Sequence, residues 1–122
     1  MRLNGWNGLA VAIMKQAAHD YVEYLRWMRD KAMPIDCEAE LKRMYKYAKK
    51  HGISLLAPGI KEERLRMKKQ LTVQQNIEEL EAWFRSNEFH VLSTIDGENF
   101  MHNIQKELKA DPSYRILLGD DF

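Results

Sequence analysis

The sequence predicts an all-α fold: a single-domain helical bundle of four to five helices with an ordered C-terminal tail. Three observations predict it. Apolar residues recur at spacings of three and four, caps and breakers punctuate the chain at helix-length intervals, and only Phe89 to Ile95 has strand-like composition. A lone strand has nothing to pair with, so helix is the better reading of that segment too. At 122 residues the chain is one domain, 1–122, and its 45% hydrophobic content, with 7 Met and 3 Trp, is enough to offset chain entropy.

The first helix is expected from about Gly8 to Lys31, with Asn7 as its cap. At 100° per residue, Leu9, Ile13, Met14, Ala17, Ala18, Tyr21, Val22, Tyr24, Leu25 and Met28 fill roughly 220° of its circumference. Either this helix runs through the centre of the domain or, since a chain this short rarely surrounds a helix so fully, a second subunit covers part of it, which points to a homo-oligomer. The remaining arc is polar, with Lys15, His19, Arg26 and Arg29 grouped toward one edge, Trp27 at the other, and Glu23 placed to pair with Arg26.

Met33-Pro34-Ile35 breaks the helix, and Asp36 caps a second one that runs to His51 and closes at Gly52. Leu41, Met44, Tyr45 and Ala48 are its inner stripe. Ile53 to Gly59 reads as an apolar loop whose Leu55 and Leu56 cover part of the core, and Ala57-Pro58-Gly59 as a turn. The next residues are dense in charge, and the segment 57–71 is expected to be exposed or mobile. Val73, Ile77, Leu80 and Phe84 mark a packed helix that either starts at Thr72 or continues from residue 61. Ser86-Asn87 ends it, Asp96 caps a last helix to Ala110 with Phe100, Met101, Ile104 and Leu108 inward, and Asp111-Pro112 stops that helix. Ile116, Leu117, Leu118 and Phe122 in the tail imply that it docks.

Charge and chemistry narrow the function. Lys and Arg number 19 against 18 Asp and Glu, which disfavours a broad grip on nucleic acid but leaves room for the local run Lys61 to Lys69. A single cysteine, Cys37, excludes an internal disulfide and suits a reducing, cytoplasmic setting. Leu9 to Met14, the longest apolar stretch, is far short of the ~20 residues of a membrane span. No two of His19, His51, His90 and His102 are one helical turn apart, and Asn4-Gly5-Trp6-Asn7-Gly8 matches no phosphate-loop spacing. The expectation is therefore no catalytic residue, no metal and no cofactor. Binding chemistry is better represented: Trp83-Phe84-Arg85-Ser86-Asn87 places aromatic faces beside planar hydrogen-bonding groups where a helix ends.

Ala12-Ile13-Met14-Lys15-Gln16-Ala17-Ala18-His19-Asp20-Tyr21, with Glu79 to Asn87 and Leu92 to Glu98, resembles small proteins encoded in phages and prophages of Firmicutes. The resemblance covers about half of the chain. It departs at Asn87-Glu88, where the pattern has Asp followed by Trp or Tyr, and it does not reach the middle, about 33 to 71. It implies a non-enzymatic phage accessory, foremost an anti-defence protein that sequesters a nucleotide immune signal or occludes a host defence protein. On that reading Lys15, Arg26, Arg29, Trp83, Arg85 and Asn87 are the ligand contacts to test. The alternative is a DNA-replication or recombination accessory that binds DNA or a replication protein.

Overall fold

The computed structural model describes residues 5–93 and 95–114, and side chains from residue 9 onward. It consists of α1 (Gly5–Lys31), α2 (Cys37–His51), α3 (Ile60–Phe84), the short α4 (Asn87–Leu92) and α5 (Gly97–Ala110), with no strand among the described residues. The all-α expectation holds. None of these helices is long and apolar enough to cross a membrane.

Local chemistry sets the helix ends. The Asp36 carboxylate accepts from the Ala39 N–H at 3.2 Å, Ser86 from Phe89 N–H at 3.4 Å and Asp96 from Glu98 N–H at 3.2 Å, each satisfying a donor that the first helical turn leaves free. Gly52 closes α2 at φ 63°, a left-handed conformation that glycine adopts without strain, and its N–H reaches the Ala48 carbonyl. Asn7 lies within α1 rather than before it, because the helix already includes Gly5.

α1 and α3 form an antiparallel spine against which α4 and α5 pack. Met14, Tyr21, Val22, Phe84, Phe89, Met101 and Ile104 are the buried centre of this bundle. Phe84 lies 5.5 Å from the Tyr21 and Trp83 rings and 5.4 Å from those of Phe89 and Phe100, all at steep angles. Edge-to-face rings of this kind add to the ~1.5–3 kcal/mol that burying such a side chain contributes. Gly97 lets the start of α5 sit directly on the end of α3: a Cβ there would lie 1.8 Å from the Phe84 carbonyl oxygen.

α2 packs on the first half of α3 and forms a second, separate cluster from Cys37, Leu41 and Met67, with Met33, Met44 and Leu71 around it. Several expectations change here. The charged segment 57–71 is mostly exposed, and from Ile60 it is the first half of one 25-residue helix, with Met67 and Gln70 as its buried residues. α2 supplies the apolar cover that the sequence of that segment alone does not reveal. Thr72 does not start a helix, since its hydroxyl donates back to the Lys68 carbonyl at 3.0 Å within the continuous α3. Tyr45, placed on the inner stripe of α2, is 36% exposed, and Leu56 lies 69% exposed rather than over the core.

One chain covers most of the wide apolar arc of α1. Ala10, Met14, Ala18, Tyr21 and Val22 are buried, Ala17 and Leu25 pack against the bundle core, and Leu9 and Ile13 stay exposed. Tyr114 packs on the same core, whereas the rest of the tail, including Ile116, Leu117, Leu118 and Phe122, lies outside the described residues.

Candidate functional site

The six predicted contact residues do not converge. Arg26 donates to Glu23 at 2.8 Å, the predicted pair, and also to the Tyr114 carbonyl. Arg29 holds Asp30 at 2.8 Å and reaches the Pro112 carbonyl at 3.2 Å. Both guanidinium groups therefore tie the end of α1 to the turn after α5. The Arg29 hydrogen bond holds the Asp30 carboxyl below the usual carboxylate range. Trp83 is half-buried against Phe84 and Phe89, Arg85 pairs with Glu98, and exposed Asn87 opens α4, so these three occupy the corner between α3 and α4. Lys15 is half-buried further up α1.

A different place gathers binding chemistry. Where α1 ends against the first half of α3, a cleft of about 700 Å³ opens between Trp27, Asp30, Lys31 and Met33-Pro34 on one wall and Leu65, Arg66 and Lys69 on the other. Its size falls within the range of small-molecule sites. The Lys31 and Lys69 ammonium groups make no ion pair among the described residues, and Arg66 is held only by Glu63 at 3.6 Å. The one carboxylate in the cleft, Asp30, is already engaged by Arg29. The result is a concavity with an indole and Lys31 on one side and Arg66 and Lys69 on the other.

Gln70 gives the cleft a fixed wall. It is 2% exposed; its Oε1 accepts from the Met33 N–H at 2.7 Å and its Nε2 donates to the Met33 carbonyl at 3.1 Å. This amide pairs with the N–H and carbonyl of one residue as a neighbouring strand would, satisfies both backbone polar groups of Met33, and pins the α1–α2 linker to α3. A smaller hollow of about 230 Å³ beside Asp20, Tyr24 and Glu79 carries the opposite charge.

The remaining reactive groups are quiet. Burial, then the Asp36 and Glu40 carboxylates, push the Cys37 thiol upward, away from the thiolate that a nucleophile needs. Tyr21 is fully buried, donates to Glu81 at 2.7 Å and accepts from Gln105 at 2.7 Å; burial drives its phenol far above the ordinary tyrosine range. No group of three His, Cys, Asp or Glu residues converges among the described residues.

Sequence reading missed the cleft for identifiable reasons. Trp27 was visible only as the border of an apolar arc, and Lys31, Arg66 and Lys69 belong to segments 35 or more residues apart. Gln70 sits in a charged run with nothing to mark it as buried. No protein-family model, curated protein or solved structure matches the chain.

Proposed function

We propose that this chain is a non-enzymatic accessory protein of phage or prophage type. It counters host defence in the host-cell cytoplasm by sequestering a nucleotide immune signal in the cleft between α1 and α3. The single observation that carries the reading is the pairing, in one concavity, of the Trp27 indole with Lys31, Arg66 and Lys69. A base stacks on an aromatic face, ammonium and guanidinium groups take phosphate oxygens, and one concavity offers both. The phage assignment rests on the resemblance carried by residues 12–21, 79–87 and 92–98. Occlusion of a host defence protein is the competing form of the role, and it needs an extended face of ~800 Å² rather than a concavity.

A homo-oligomer would use apolar surface that one chain leaves exposed. Among the described residues, Leu9 at 54% and Ile13 at 40% exposure are the large apolar side chains that α1 leaves uncovered. Light scattering at tens of micromolar decides whether a second copy adds to the cleft.

A thermal-shift panel of cyclic dinucleotides, ADP-ribose derivatives and linear nucleotides tests the proposal. A signal present at a hundred times its Kd stabilises the folded chain by about 2.7 kcal/mol, a rise of roughly 10 °C for a domain of this size. Trp27→Ala, or Lys31→Gln with Lys69→Gln, should abolish the rise while leaving the unliganded Tm near its original value. A panel without any shift removes the nucleotide reading and leaves occlusion of a protein.

A further inference from the structure

Charge is segregated along this fold. Residues 37–70, which comprise α2, the following loop and the first half of α3, contain 10 Lys and Arg against 4 Glu, a net +6. The whole chain is +1, so everything else sums to −5. Near-neutrality of the total thus hides a strongly basic arm on an acidic bundle.

The arm presents that charge outward. Cys37, Leu41 and Ala48 turn α2 toward α3, and on the opposite side Lys42, Arg43, Lys46, Lys49 and Lys50 fill about 120° of the helix. Glu38 holds Lys42 at 3.5 Å and Glu40 holds Arg43 at 2.8 Å. Lys46, Lys49 and Lys50, by contrast, make no ion pair among the described residues. On α3, Lys61 and Lys68 are similarly unpaired and stand two turns apart on one side. Met67 clusters with Cys37 and Leu41, so the two helices run antiparallel and the free end of α2 lies beside the start of α3. Beside these cations Tyr47 is 59% exposed, its ring 4.2 Å from the His51 ring.

We infer that the outer face of the α2–α3 arm binds the phosphate backbone of single-stranded nucleic acid, with Tyr47 as a stacking platform for an unpaired base. A run of unpaired cations tracks a polyanion, and an exposed aromatic ring takes a base that a duplex would keep stacked. A membrane surface fits less well, because an interfacial helix needs an apolar face and α2 spends its own on α3. This surface is distinct from the Trp27 cleft, and binding at it stands or falls independently of the nucleotide reading.

Fluorescence anisotropy of labelled 20-nucleotide oligo-dT and oligo-U, with a duplex of equal length as comparison, tests the inference. Five engaged phosphates on a single strand give a log–log salt slope of about −3.5, so moving from 50 to 200 mM salt weakens binding roughly a hundredfold. Replacing Lys46, Lys49 and Lys50 together by Gln should flatten that slope by about 2. Tyr47→Ala should weaken binding about tenfold and leave the slope alone. Trp27→Ala, and Lys106→Gln with Lys109→Gln on α5, should change nothing. All these side chains except Trp27 are exposed, and an unchanged Tm verifies the fold of each variant. Any of four results overturns the inference: no binding at 50 mM salt with tens of micromolar protein, full affinity in the triple lysine variant, tighter binding to the duplex, or capture only by phosphatidylserine-containing vesicles.

Discussion

The bundle core and the arm are held together by different means. Around Phe84 the bundle interlocks four other rings, and α5 rests on a glycine where any side chain would collide. Beneath α2 the arm relies on Cys37, Leu41 and Met67 with Met33 and Met44, small or flexible side chains that fill space without fixing it. What fixes the arm is one polar device, the Gln70 amide on Met33. Rigid aromatics specify the bundle by shape; the arm is specified by two hydrogen bonds. The candidate cleft and the basic face both lie on the more weakly secured side, where local opening costs least.

The largest effect is expected where shape does the holding. Phe84→Ala should cost about 3–5 kcal/mol, since it removes the ring that four others touch and leaves a cavity. Gly97→Ala should cost about 3 kcal/mol for the opposite reason, by forcing the start of α5 off the Phe84 carbonyl. Denaturant melts check both, and a midpoint within experimental error of the parent chain would show that the bundle tolerates repacking.

Gln70→Ala comes next, at about 1–3 kcal/mol, because it strands the Met33 N–H and carbonyl. Hydrogen exchange should speed up in α2 and in the first half of α3 while α5 stays protected. Gln70→Glu sharpens the point: a carboxylate still accepts from Met33 N–H but has no proton to donate to the carbonyl. Stability lost at neutral pH should therefore return as the acid form appears. Uniform exchange across both regions would mean that they unfold as one unit.

The two regions also differ in how much of them the sequence discloses. The caps at Asp36, Ser86, Asp96 and Gly52 and the 4-3-4 spacing of Val73, Ile77, Leu80 and Phe84 are local signals, readable because their causes lie within one or two turns. The bundle follows from them. The arm does not, because its cause is nonlocal: Met67 is buried only once α2 lies over it, and Gln70 is a core residue only once the linker returns to it. The same nonlocality hides the cleft. Arg26 and Arg29 were conspicuous as cations on one edge of α1, yet the turn after α5 uses their hydrogen bonds.

Alkaline pH should distinguish the two regions more gently. Tyr21 belongs to the bundle, and burial, assisted by Glu81 and opposed by the Gln105 hydrogen bond, holds its phenol protonated well past the ordinary range. In the unfolded chain the phenol ionises near pH 10. The unfolded state then binds fewer protons than the folded one, so stability is constant below about pH 10 and falls above it. Tyr21→Phe should flatten that fall in urea midpoints measured between about pH 9 and 11. Equal slopes for the parent and Tyr21→Phe chains would show that the Tyr21 phenol is not what sets the alkaline limit.

The smallest effect belongs to the corner between α3 and α4. Arg85 and Glu98 are both solvent-exposed, and an exposed pair gains little because water screens it and two long side chains lose freedom. The hydrogen bond from Arg85 nevertheless holds the Glu98 carboxyl below its usual range. The sign follows: any stability from the pair is present above the ordinary glutamate range and disappears as pH falls and Glu98 takes up its proton. Arg85→Ala should leave Tm at neutral pH almost unmoved while shifting the Glu98 titration, followed by NMR, back up toward the ordinary value. A large loss of Tm would instead mean that Arg85 helps hold α5 against α3, extending to an exposed ion pair the role that Gly97 and Phe84 fill by contact.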